Sequence, residues 1–174
     1  LVFVIVFAMQ IVPLQMALIP LLRIFSSTFG NSFPFMSIWV AHTAFALPLA
    51  IFLLHNFMQE IPRELIEAAE VDGAGHVATF TRVVLPLMVP AIASFAIFQF
   101  LWVWNDLLVG LTFSGGQELT APLTARLQSL AGSRGQDWHL LTAGAFISMI
   151  IPLGVFFSLQ KYFVRGLTAG SVKG

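Results

Sequence analysis

Apolar residues fall along this chain in blocks of about membrane-crossing length, parted by shorter polar stretches. Leu1 to Leu22 is 22 residues without a charge, and a helix of roughly 20 residues crosses a hydrocarbon core of about 30 Å. Pro13 and Pro20 lie inside this run and predict bends, since neighbouring helices can satisfy the carbonyls that proline frees. Ile24 to Gln59 is again uncharged, but it is too long for one crossing and contains the turn-rich patch Ser26 to Ser32. An outer loop is expected there, then a second helix from about Phe35 to Phe57 with a kink at Pro48. A third crossing is expected over about Val89 to Leu111 and a fourth over Leu140 to Gln160. Thr112 to His139 reads as an outer loop, with Trp138 anchoring the return, and Lys161 to Gly174 as a soluble tail. The pattern predicts an all-α fold, a polytopic membrane helix bundle with four spanning helices.

The polar insert from Glu60 to Pro90 interrupts this pattern. It holds five of the eight acidic residues and two of the eight basic ones, so it reads as a loop outside the bilayer. Pro62 suits a first helical turn, where its missing N–H costs nothing, and Arg63 to Val71 contains good helix formers. Gly73 follows as a C-terminal stop. Glu60, Glu64 and Glu67 recur on one face, with Leu65, Ala68, Ala69 and Asp72 around the other side. Gly73 and Gly75 permit a change of direction before a second short helix, about His76 to Val84, which Leu85-Pro86 is expected to end.

The order of residues in this insert carries a resemblance. Glu67-Ala68-Ala69, three residues, Gly73, nine residues, Val83, one residue, Leu85-Pro86 is similar to the cytoplasmic EAA loop of the permease subunits of ABC importers, with Val83 where isoleucine is more usual. Asp72-Gly73-Ala74 resembles the carbohydrate-importing branch, as do Phe100-x-x-x-Trp104-Asn105 and the closing Gly166-x-x-x-Gly170-Ser171-Val172-Lys173-Gly174. The resemblance implies a type I importer permease whose 60–86 loop forms coupling helices that dock on a separate ATP-hydrolysing pair of subunits. Glu67, Ala68, Ala69, Asp72, Gly73, Ala74, Leu85 and Pro86 are then the docking residues. It further implies a second permease subunit, an extracytoplasmic sugar-binding protein and a place in the cell's inner membrane. Lysine and arginine number five on the loop and tail side and three on the other, which puts the loop and C-terminus in the cytoplasm.

Composition agrees with a bilayer. Hydrophobic residues make up 58% and charged residues 9%, against roughly a quarter charged in soluble domains. Zero formal net charge gives no electrostatic case for nucleic acid, and the absence of cysteine removes disulfides and thiol catalysis. The chain has no phosphate-binding G-x-x-x-x-G-K-[ST], no H-E-x-x-H and no G-x-S-x-G. His42 and His55, thirteen residues apart, make no metal pair on one helix face. No catalytic site, cofactor or metal is expected, and ATP must be hydrolysed by another chain. The start at Leu1, inside an apolar run and without a basic leader, leads us to expect a piece missing its N-terminal part; the family usually has six spanning helices.

Near the far end of the third crossing, Trp102, Trp104, Asn105 and Asp106 are candidates for the substrate pathway, the rings for stacking on a sugar and the polar groups for its hydroxyls. Asp106 is the one acid within an apolar run, either a functional group or an interfacial residue beside an aromatic belt. Gln10 and Gln15 are expected to bond between helices, and His42 is a buried polar group without an assigned duty. Two alternatives stay open. An ion-gradient-driven secondary transporter would need more intramembrane ionisable groups than Asp106, and an ABC permease for a non-sugar solute would share the EAA loop.

Overall fold

The computed structural model describes residues 2–28, 35–114, 118–131 and 137–171, and every regular element among them is helical. In chain order these are α1 (Val2–Ala8), α2 (Leu14–Thr28), α3 (Met36–Gln59), α4 (Arg63–Val71), α5 (His76–Thr79), α6 (Leu85–Asn105), α7 (Leu108–Phe113), α8 (Leu123–Leu130) and α9 (Trp138–Ser171). Among the described residues three stretches are long and apolar enough to cross a membrane: Met36–Gln59, His76–Asn105 and Trp138–Lys161. A fourth crossing exists if the bent pair Phe3–Ile11 and Leu14–Thr28 counts as one.

That pair corrects the first expectation. Leu1 to Leu22 is not one gently bent helix, because α1 gives way to a 3-10 turn at Met9–Ile11 and the chain then swings through 103°. Val12, just before Pro13, is extended at φ −68°, ψ 118°, as crowding by a following proline ring favours. Pro20 stays inside α2. Ser26, Ser27 and Thr28 do not turn the chain either; their hydroxyls donate back to the carbonyls of Arg23 and Ile24 and they remain helical. The remainder of the turn-rich patch, 29–32, lies outside the described residues.

Leu85-Pro86 does not end the second short helix. From His76 to Asn105 the chain is helical throughout, with one wide π-turn at Phe80–Val84 where the Leu85 N–H reaches back to the Phe80 carbonyl. Leu85 keeps helical angles of −59° and −45°. In a regular α-helix the Pro86 ring would press on the carbonyl four residues earlier, and the wider turn opens room for it.

The third crossing ends at Asn105 rather than Leu111. Asp106 is extended (φ −68°, ψ 133°), and α7 begins two residues later as a separate short helix. The expected outer loop is accordingly part helix: α7 and α8 fold back on the bundle, α7 against α2 and α3, α8 against α6 and α9. The tail is also helical as far as Ser171, so α9 has 34 residues and is about 50 Å long, well beyond the hydrocarbon thickness. Val172, Lys173 and Gly174 lie outside the described residues.

The best-packed core joins α2, α3 and α7, through Leu18, Phe25, Ile38, Ala41, Val109 and Phe113. Phe25 and Phe113 meet with ring centroids 5.4 Å apart. On its other side α7 lies close to the residues before α8, where a Cβ on Gly110 would sit 2.7 Å from Cγ of Pro122. Most large apolar side chains of α9, among them Phe146, Ile147, Ile150 and Phe157, remain exposed, as expected of surface that meets lipid or another subunit instead of water.

Candidate functional site

Two regions carry these residues, one at each end of the continuous helix His76–Asn105. The first is the α4–α5 turn. α4 closes with a paired cap: the Ala74 N–H donates to the Ala69 carbonyl at 2.9 Å and the Gly73 N–H to the Glu70 carbonyl at 3.0 Å. This geometry needs a left-handed residue at its hinge, and Gly73 supplies it at φ +82°. A Cβ there would meet nothing within 4 Å, so backbone angle and not crowding accounts for the glycine.

α4 rests its Ile66 and Ala69 side on the bundle, half-buried, where it packs against the Phe80–Val84 turn. Glu67, Ala68, Asp72 and Gly73 are exposed, and Ala74 is half-buried. Leu65, grouped from sequence with Ala68, Ala69 and Asp72 opposite the glutamates, is exposed. Val71 and Val77 were not singled out in the sequence, yet they are 87% and 78% exposed and flank the turn. Their signal was faint: a lone apolar residue next to a cap glycine. The face thus combines acidic Glu64, Glu67 and Glu70 with projecting valines, a mixture suited to a protein partner. Leu85 and Pro86 lie apart from this face, at the start of α6.

The second region surrounds the α6–α7 break. Asp106 accepts hydrogen bonds from the backbone N–H of Val109 (3.3 Å, Oδ1) and of Gly110 (2.8 Å, Oδ2), and so caps α7. Its backbone carbonyl accepts from the Thr124 hydroxyl. From α3, His42 brings Nε2 to 3.7 Å of Asp106 Oδ2, and the imidazole stands edge-on to Trp102 at 5.5 Å. His42 Nδ1 is buried and has no hydrogen-bond partner among the described residues. Asp106, its side chain 9% exposed, is therefore a bracket between α3, the end of α6 and α7.

The other candidates diverge. Asn105 donates to the Leu101 carbonyl at 2.7 Å and finishes α6. Trp104 pairs with Phe100 at 5.5 Å and lines none of the clefts described below. Trp102, two residues earlier and so on the opposite side of the helix, lines two of them.

A family model described as "Binding-protein-dependent transport system inner membrane component" matches residues 1–169. The chain belongs to this family. Among curated relatives, an osmoprotective compounds uptake permease of Synechocystis sp., GgtD, is 60% identical over 173 residues, covering 99% of this chain and 58% of its own. The alpha-glucoside transport system permease AglG of Rhizobium meliloti is 56% identical over 174 residues, 98% of this chain and 46% of its own. The melibiose/raffinose/stachyose import permease MelC of Bacillus subtilis is 33% identical over 174 residues, 99% of this chain and 62% of its own. The chain spans about half the length of the curated relatives it matches.

Three clefts of this chain open beside α3 and α6. One of about 470 Å³ is lined by Trp39, His42, Thr43 and Gln99 among others. A second of about 380 Å³ shares Gln99 with it and adds Gln10 and Trp102. A third of about 570 Å³ shares Gln10 and Trp102 with the second and reaches the α1–α2 break at Val12 and Pro13. Gln10 was expected to bond to another helix, yet its side chain makes no hydrogen bond among the described residues and lies open to two clefts. The signal that could have found it was Pro13 three residues on, since a broken helix leaves its neighbours facing a cavity.

Proposed function

We propose that the chain is the membrane-spanning part of a permease subunit in an ATP-driven, binding-protein-dependent importer of a sugar or sugar-like solute. It couples to a separate ATP-hydrolysing subunit through the α4–α5 turn. The observation that carries this reading is the unbroken helix from His76 to Asn105. One end abuts the exposed Gly73 turn and the other ends at Trp102 and Asp106, so a push on the turn is delivered along one stiff element to the clefts.

In this reading Glu67, Ala68, Ala69, Asp72, Gly73 and Ala74 form the docking surface with Val71 and Val77, while Leu85 and Pro86 transmit from it. That surface faces the cytoplasm and the nucleotide-hydrolysing pair in this reading, which the excess of lysine and arginine on the loop side supports. A second permease subunit covers exposed apolar surface, and an extracytoplasmic binding protein delivers the solute. Relatives named for alpha-glucosides and for melibiose, raffinose and stachyose support a sugar. The relative named for osmoprotective compounds supports a second cargo, a small compatible solute.

Association tests the coupling. The full-length protein, expressed with its neighbouring transporter genes, should retain the ATPase subunit on purification, whereas Val71→Asp or Glu67→Lys should lose it without loss of membrane insertion. Neither side chain is buried, so unchanged association in both variants overturns the docking assignment.

A further inference from the structure

We propose that Gln10, Gln99 and Trp102 form a solute-binding subsite within this subunit, made for an uncharged polyhydroxylated molecule. The inference rests on the transport reading above and adds to it the place and the chemistry of recognition.

Gln99 is common to the first two clefts, and Gln10 and Trp102 to the second and third, so the shared positions are where polar groups concentrate. Elsewhere the second and third clefts are walled by apolar side chains such as Phe45 and Phe98. Binding sites for small molecules have this character, an apolar wall with a few placed polar groups. Each amide offers both a donor and an acceptor, as each hydroxyl of a polyol does. The side chain of Gln10 is uncommitted among the described residues. Trp102 and Phe45 supply ring surface for the C–H face of a sugar ring.

Location adds a second argument. The third cleft reaches Val12 and Pro13, where α1 and α2 part at 103°. Irregular backbone at membrane depth persists only where protein covers it or where it lines a wet cavity. No lining residue of the second or third cleft carries a charge. A zwitterionic solute would leave its carboxylate unpaired there, which favours a neutral one.

The 174 residues contain no cysteine, which suits a labelling test. Gln10→Cys and Gln99→Cys are introduced singly into the full-length protein, cleared of any other cysteine and assembled with its partners in proteoliposomes. Reaction with a charged, water-soluble methanethiosulfonate is then followed, with Ile150→Cys on the exposed face of α9 as control. Both cleft cysteines should react, the control should not, and sucrose should slow the reaction several-fold where glycine betaine at equal osmolality does not. No reaction at 10 and 99, as when another helix fills the clefts, overturns the subsite, and so does protection by betaine alone or by neither solute. Protection by sucrose in a preparation that fails to hold the ATPase subunit would sink the coupling and leave the subsite standing.

Discussion

His42 on α3 and Asp106 at the end of α6 stand 3.7 Å apart, with side chains 10% and 9% exposed, although 64 positions separate them in the chain. The contact ties the far end of the long α6 helix to its neighbour at the point where the helix stops and α7 starts. The same carboxylate holds the first N–H groups of α7, so one side chain sets both the break and the docking of α7.

Removing it should loosen this corner. Asp106→Ala should lower stability by about 1–2 kcal/mol through the lost cap, more if the corner opens to water, and Asp106→Asn by less, since an amide oxygen still caps. The check is the thermal unfolding of the full-length protein in detergent, with the order wild type, Asn, Ala in Tm. An asparagine variant less stable than the alanine variant would show that the carboxylate does not act as a cap.

At Gly73 the cause of the requirement makes a separate prediction. The position has φ +82° and open space around it, so substitution is limited by backbone strain alone. Gly73→Ala should weaken the α4 cap by roughly 1 kcal/mol and Gly73→Asn by less, because asparagine tolerates the left-handed region better. Amide hydrogen exchange at Gly73 and Ala74, whose N–H groups form the paired cap, should quicken in the same order.

Gly110 is limited by the opposite cause. Its Cβ position is 2.7 Å from the Pro122 ring, which cannot swing aside as the end of a long chain can. Gly110→Val should push α7 from the residues before α8 and destabilise by about 1–3 kcal/mol, the usual cost of overpacking. A denaturation midpoint equal to wild type would show that this segment yields freely.

Much of this molecule was legible in its residue order. The three unbroken spans, the start of α4 at Arg63, its stop before Gly73 and the all-helical class follow from run length, helix propensity and cap chemistry, which act over a few neighbouring residues. The prolines were less readable. Pro13 breaks its helix, Pro86 is absorbed by a π-turn and Pro20 is carried inside a helix, and no local rule separates the three. The outcome depends on whether the surroundings can accept the freed carbonyls.

The candidate pathway shows the same division. Trp102, Trp104, Asn105 and Asp106 are adjacent in sequence and were grouped for that reason, but Trp104 turns to the opposite side of the helix from Trp102, Asn105 and Asp106 bond to backbone, and of the four Trp102 alone lines any of the three clefts described. Gln10 and His42 come to it from two other segments of the chain, and Gln99 from one turn earlier on its own helix. Hydrophobic period and capping residues are enough to write a membrane helix bundle with a glycine-hinged polar turn, because they are short-range properties of the chain. Which polar side chains come together inside that bundle is set by how helices far apart in sequence cross and break, and that is a matter of packing.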